Sequence, residues 1–527
     1  MSAAHAPHDV VIIGSGFGGA VTSCRLAEAG MKVLVLERGR RWDTDTFPRS
    51  PGAPWIWDQT RPAKRNGWLD FRVHRGASVA LGAGVGGGSL IYANVVIDAD
   101  PALFERDWPP EITFAELTPY YARVQQMLNP QPVPQNQVPE RFKLVEESAR
   151  RLGYTQRFRP LPLAITFDPA WHYGLDQPLE VAHSKAWTNP QGRTQGTCVH
   201  CGNCYIGCPV SARNTLDLNY LARAETLGAA VRPLHLAQAI TPVAGGYRVD
   251  YSEIRDGELR AGHVTAPRVI VAAGSLGSSE LLLRCRDRLR TLPRLSPMLG
   301  RSWSPNGDFM TVSVHDRAIK PTHGPTITAA VDFLDGSEAG HRFFVEDGGF
   351  PAIFGDWMAA KRPFDWRNPG FSSMIGGLAW FLRRYGDMDR MMPWFAQSHD
   401  AADGELYLGR SLTRPWQTRL KIRWRAAASR PTIEAVYAMH RRFAEATGGK
   451  VATPFVWTML KSLITPHPLG GCRMGRTAVE GVVDHRGEAF HYPGLFVADG
   501  SVVPKAIGLN PSKTIAALAE RTAALMA

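Results

Sequence analysis

The sequence predicts an α/β fold, a Rossmann-like dinucleotide-binding domain interrupted by an inserted α+β substrate domain. Three observations carry this prediction. The opening stretch "HDVVIIGSGFGGAVTSCRLAEAGMKVLVLERG" reads as strand, glycine loop, helix and strand in that order. A later strand, "PRVIVAAGS", again runs straight into glycines. The closing segment "GLFVADGSVVPKAIGLNPSKTIAALAERTAALMA" returns to the same style, whereas residues 300 to about 455 carry no glycine signature.

Val10 to Ile13 form a continuous apolar run, the mark of a parallel strand buried on both faces. Gly14, Gly16 and Gly19 follow as G-x-G-x-x-G. The first glycine permits the tight turn, the second lets backbone approach a pyrophosphate, and the third allows close helix–strand packing. The helix from Phe17 offers its N-terminal N–H groups to phosphates, and Gly30 stops it. "KVLVLE" is a second buried strand ending at Glu37, whose carboxylate suits a ribose 2′-hydroxyl and disfavours a 2′-phosphate. The ligand is therefore FAD or NAD rather than NADP.

"GASVALGAGVGGGSLIYANV" embeds Val, Leu, Ile and Tyr among its glycines, unlike a flexible linker. It predicts close backbone approach to a flat ligand through Gly86, Gly87, Gly88 and Ser89. Residues 106–195 are read as irregular covering structure with one helix, "FAELTPYYARVQQML". "NTLDLNYLARAETLG" predicts a helix with Leu218, Leu221 and Ala222 on one face. Val269 to Ala273 and Gly274 form a late strand of the nucleotide sheet, ending beside the ligand. "LFVAD" is another, with Asp499-Gly500 as its terminal turn, and Pro511 starts the last helix where its missing N–H costs nothing. The expected nucleotide domain is residues 1–105, 196–300 and 456–527, with 301–455 as substrate domain. Within the latter, "SMIGGLAWFLRRYG" reads as a core helix or, alternatively, a lipid- or substrate-facing lid.

Hydrophobic residues make up 44% and charged residues 20% of the 527, ordinary for a globular protein. The net charge of +12 is scattered, with no basic run of the nucleic-acid type, so acidic partners such as anionic lipid surfaces or phosphate-bearing cofactors are favoured. "MSAAHAPHDV" has no signal-peptide pattern, and no segment reaches membrane-spanning length. The expectation is a cytoplasmic protein, with peripheral membrane contact as an option.

Cys198, Cys201, Cys204 and Cys208 stand in "CVHCGNCYIGCP", a C-x₂-C-x₂-C-x₃-C-P run. The spacing matches bacterial ferredoxins, where the fourth cysteine serves a different cluster, so a lone run does not complete a four-iron site. An iron–sulfur cluster, zinc, and metal-free thiols or disulfides all remain open.

The pieces "GSGFGGA", "ERG", "GAGVGGGSL", "VAAGSLGSSELLL", "HPLGGC" and "VADGSVVPKAIGLNPSKTIAALAER" together resemble the glucose-methanol-choline (GMC) oxidoreductase family, which binds FAD. "HPLGGC", "LNPSKTI", "SWSPNGDF" and "FFVEDGGFP" are most similar to its bacterial cholesterol oxidase branch. The resemblance implies the GMC fold and oxidation of an alcohol by hydride transfer to flavin, on a sterol or other bulky apolar alcohol. It implies oxygen, a redox protein or a quinone as acceptor. His467 corresponds to the family histidine that meets the substrate hydroxyl, and Asn510 to the asparagine at the reactive ring nitrogen; alone, Asn510 would read as a helix cap. Glu346 is the candidate second acid/base, although Asp347 is adjacent. Cys472 reads as a small buried hydrophobe. Sugar dehydrogenases of the family carry an iron–sulfur cluster at a broadly similar place, which would make this chain an electron-relaying dehydrogenase. The competing readings are a sugar or simple-alcohol dehydrogenase and a non-catalytic electron-transfer flavoprotein subunit.

Overall fold

The apolar run Val10–Ile13 (β1) is buried at every position and has a parallel neighbour on each side. The computed structural model describes residues 8–50, 52–353, 387–410, 418–452 and 463–527. β1 lies at the centre of a five-stranded parallel sheet. The other strands are Val33–Leu36 (β2) and Ala230–Arg232 on one side, Arg268–Val271 and Leu495–Val497 on the other. Strands from the head, middle and tail of the chain thus meet side by side. Such a sheet must be covered on both faces, which explains the unbroken Val/Ile/Leu runs.

The helix Phe17–Glu28 (α1) starts at Gly16 with no side chain capping it, so its first-turn N–H groups are left for a ligand. The last helix, Ser512–Met526, packs against α1 and against Phe114–Leu128. Arg25 of α1 donates to the buried Glu520 at 2.7 Å, and the Tyr121 and Thr514 hydroxyls meet at 2.9 Å.

A six-stranded antiparallel sheet stands beside this unit. Its order is Gly449–Ala452, Phe309–His315, Met391–Ser398, His341–Asp347, Ala329–Glu338 and Phe158–Pro160. The edge strand Phe158–Pro160 comes from the segment expected to be irregular cover, and so does a second helix, Glu140–Arg151. Its charged residues hide the pattern in the sequence, yet Phe142, Leu144, Val145 and Ala149 are buried against the sheet and the helix Arg430–Ala446. The helix expected over "NTLDLNYLARAETLG" is shorter, spanning only Tyr220–Thr226. Asn219 stops it from starting earlier, because its side-chain oxygen accepts the Tyr220 N–H at 2.6 Å. The apolar stretch 373–386 lies outside the described residues. Among the described residues no helix is long and apolar enough to cross a membrane.

Candidate active site

One long cleft runs along the C-terminal edge of the parallel sheet, where open α/β sheets place their ligands. Gly14, Gly16, Gly87, Gly88, Ala273, Gly274, Asp499 and Gly500 all line it, with Glu37 toward one end and His467 and Asn510 at the other. The two glycine loops touch: a side-chain carbon on Gly87, at φ +52°, would sit 2.6 Å from Gly16 Cα. Gly19 does not line the cleft. It packs instead, since a Cβ there would meet the Gly14 carbonyl oxygen at 2.0 Å. Gly86 and Ser89 are also outside the lining; the Ser89 hydroxyl donates to the Gly86 carbonyl at 2.8 Å and accepts the Leu216 N–H at 3.2 Å, bracing the loop.

Glu37 is buried, and its carboxylate accepts the Ser15 hydroxyl at 2.7 Å and the Gly39 N–H at 2.8 Å. Those bonds hold it at the end of β2, facing the cleft. Asp499 accepts N–H groups from Gly274 and Ser501, both at 2.8 Å, and so ties two sheet strands together at the cleft floor. Burial pushes its carboxyl up, and the Ser278 and Ser501 hydrogen bonds oppose that. The Cβ-free backbone, the uncapped α1 terminus and the buried acid fit FAD.

His467 follows the short strand Leu463–Thr465, which is anchored in parallel to Ala77–Gly82. Its Nδ1 lies 3.0 Å from Asp308 Oδ1, and its own N–H donates to the Thr465 hydroxyl at 2.9 Å. The Thr465 hydroxyl in turn donates to Asp308 Oδ2 at 2.6 Å. Asp308 is fully buried; burial pushes its carboxyl up, while His467 and Thr465 pull it back. Among the described residues Nε2 of His467 makes no hydrogen bond, and His467 lines the cleft.

Asn510 precedes the last helix, but no side chain caps that helix, and Asn510 Oδ1 is buried without a partner among the described residues. The amide therefore serves the cleft rather than the helix end. Glu346 stands in the antiparallel sheet in register with Phe395, which packs on the His467 ring at 6.0 Å between centroids. Paired residues share a sheet face, so Glu346 and Phe395 both face the site. Burial pushes the Glu346 carboxyl up to about 8, with Gln397 and Asn510 opposing the shift. Gln397 donates to Glu346 Oε2 at 2.8 Å, while Oε1 is buried and unpartnered among the described residues. At ordinary pH this group is a carboxylic acid, able to donate a proton. The cleft that His467 lines also carries the apolar side chains Tyr92, Val95, Tyr205, Ile327, Phe395 and Pro468. Cys472 is fully buried, as a small apolar residue would be.

Cys198, Cys201, Cys204 and Cys208 line a separate small cavity, and all four are free thiols. The space measures ≈ 20 Å³, about one water molecule. Burial pushes the Cys201 thiol up to about 12 and raises Cys198 and Cys208 too. Among the described residues no group of three or more His, Cys, Asp or Glu is arranged to hold a metal ion. The residues as placed do not fit an iron–sulfur cluster, and no electron relay is derived through them.

The sequence reading missed Asp308, Thr465 and Gln397. Asp308 sits in "SWSPNGDF", which marks a branch likeness but gives no sign of reaching a histidine 159 positions away.

Comparison with known proteins places these observations. The profile of the GMC oxidoreductase family matches residues 401–519, and that of the NAD(P)-binding Rossmann-like domain matches residues 12–48. A cholesterol oxidase of Mycobacterium tuberculosis is 31% identical, the alignment covering 98% of this chain and 91% of the relative. A cholesterol oxidase of Acinetobacter baumannii is 29% identical over 98% of this chain and 93% of its own. The crystal structure of pyridoxine 4-oxidase from Mesorbium loti is similar in fold, with a TM-score of 0.64 at 17% identity, covering 98% of this chain and 99% of that one.

Proposed function

Because the chain belongs to the GMC oxidoreductase family, we propose that it oxidises the CH–OH group of a sterol or other bulky hydrophobic alcohol to a carbonyl. The observation that carries this reading is that His467 and Asn510 line the same cleft as the glycine loops, with the buried Glu346, its carboxyl pushed up to about 8, paired in the antiparallel sheet with the cleft residue Phe395. The 31% identity to a cholesterol oxidase supports the substrate class.

FAD, when bound, accepts the hydride from the carbinol carbon. The glycine loops, Glu37 and Asp499 hold it along the cleft. Tyr92, Ile327 and Phe395 exclude water and pack on an apolar skeleton. His467 Nε2, bare and facing the cleft, accepts the hydroxyl proton as the carbonyl forms. The Asn510 amide N–H and the Glu346 acid are the donors available to the hydroxyl oxygen, whose one proton goes to His467. An acceptor such as oxygen would complete the cycle. In this reading residues 1–105, 196–300 and 456–527 form the flavin domain, and 301–455 supply the substrate wall.

Anaerobic mixing with sterols, long-chain alcohols and sugars tests the proposal through bleaching of the flavin bands. Sterols should bleach them fastest, and His467→Gln should slow the bleaching by about 10²–10⁴-fold while the visible flavin spectrum is kept. Bleaching by sugars alone, or a His467→Gln rate equal to the parent, would sink it.

A further inference from the structure

Asp308 neither lines the cleft nor reaches the surface, yet it ends a turn that is braced from several sides. The turn Ser304–Asp308 is buried throughout. Asp400 holds its base: the Ser304 hydroxyl and the Gly307 N–H donate to Asp400 Oδ2 at 2.7 and 2.8 Å. Asn306 and Gly307 both take positive φ, +58° and +61°, which bends the backbone sharply. The bend aims two side chains in useful directions. Asn306 Nδ2 donates to the Leu509 carbonyl at 3.0 Å, and its Oδ1 accepts the Ile507 and Gly508 N–H groups at 2.9 and 3.0 Å. That grips the loop leading into Asn510. Asp308 grips His467.

We infer that Asp308 is the positioning residue that fixes the imidazole tautomer of His467, so that Nδ1 carries the proton and Nε2 is always the bare, proton-accepting atom. A carboxylate can only accept, so the atom 3.0 Å from Oδ1 must be an N–H. Rotation of the carboxylate is blocked, because Oδ2 is already committed to the Thr465 hydroxyl. Thr465 cannot donate to a bare Nδ1, because its one hydroxyl proton is already given to Asp308 Oδ2. A half turn of the ring about Cβ–Cγ would put the carbon Cδ2 where Nδ1 stands and leave the buried Asp308 Oδ1 without that donor. When the substrate hydroxyl proton arrives at Nε2, the resulting imidazolium stays bonded to the Asp308 carboxylate, which stabilises that charge in a buried place. The proton itself remains on His467. The same turn that sets the base therefore also holds the backbone leading into Asn510.

This inference rests on the proposed alcohol oxidation, but one arm of its test does not need turnover. In flavin-loaded protein labelled with ring-¹⁵N histidine at alkaline pH, the His467 signals, identified by their loss in His467→Gln, should report a protonated Nδ1 and an unprotonated Nε2. A protonated Nε2 in the parent overturns the inference without any Asp308 variant. In Asp308→Leu the two nitrogens should report mixed tautomers. The limiting rate of anaerobic flavin reduction should fall by about 10²–10⁴-fold, while the half-saturating substrate concentration changes less than about threefold. Parent-like ¹⁵N signals with a parent-like rate in Asp308→Leu would also overturn it. A parent that no alcohol reduces would defeat the alcohol chemistry alone, since the tautomer would still be read.

Discussion

Glu346 and Asp347 are neighbours in the chain but not in the molecule. The two-residue period of the strand sends them to opposite faces of one sheet. Glu346 pairs in register with Phe395, which packs on His467, whereas Asp347 pairs with the fully buried Arg141 and accepts the Thr328 N–H at 2.6 Å. Adjacent carboxyls thus acquire different tasks, one protonated at the cleft and one holding an arginine. The protonated one leaves a pH signature. Its ordinary value is 4.5 and its folded value about 8, so between these pH values the folded chain keeps a proton that the unfolded chain has lost. Stability therefore falls as pH rises from about 4.5 to about 8 and levels off above. Substrate-free Glu346→Gln should not share that decline. Thermal melts of both proteins at pH 5 and pH 8 check this, and parallel curves would contradict it.

At the scale of elements, the helix Glu140–Arg151 is fastened at its start through the buried Arg141. Arg141 donates to Asp347 and to the carbonyl oxygens of Pro325 and Thr326, at 2.6 and 3.1 Å for the latter two. Asp347→Asn keeps the shape and strands the charge, so unfolding in urea should show a loss of about 3–5 kcal/mol. A loss below about 1 kcal/mol would mean that the carbonyl oxygens suffice. The glycine loops make a second element-scale prediction. Gly87→Ala forces a Cβ to within 2.6 Å of Gly16 Cα, so the loops must part. Flavin affinity, followed by fluorescence on titrating FAD into the stripped protein, should weaken at least about tenfold while the far-ultraviolet circular dichroism is unchanged.

At the scale of the whole molecule, the two glycine loops, the parallel strands and the histidine turn are legible in the sequence because each is a local pattern. Val10–Ile13 announces its burial by being apolar throughout, and G-x-G-x-x-G announces its turn. Asp308, Thr465, Gln397 and the strand Phe158–Pro160 are not legible, because their meaning comes from partners far away in the chain. The helix Glu140–Arg151 fails for a different reason: its buried face includes an arginine, which a hydrophobic pattern scores as solvent-facing. Deleting Ser512–Met526 should abolish flavin retention, since that helix packs on α1 and covers the Asn510 loop's exit. The absorbance of the purified protein near 450 nm, an approximate flavin band position, reads this out directly.

The strand Leu495–Val497 is the sheet's outer neighbour to Arg268–Val271, although most of the antiparallel sheet lies between them in the chain. A nascent polypeptide emerging from the ribosome therefore carries an unclosed sheet edge, Val269 to Val271, through most of the second half of translation. Cofactor capture has to wait until synthesis is nearly finished. Slow production with a generous flavin supply would favour a loaded enzyme, whereas a stalled ribosome would leave a sticky, colourless intermediate.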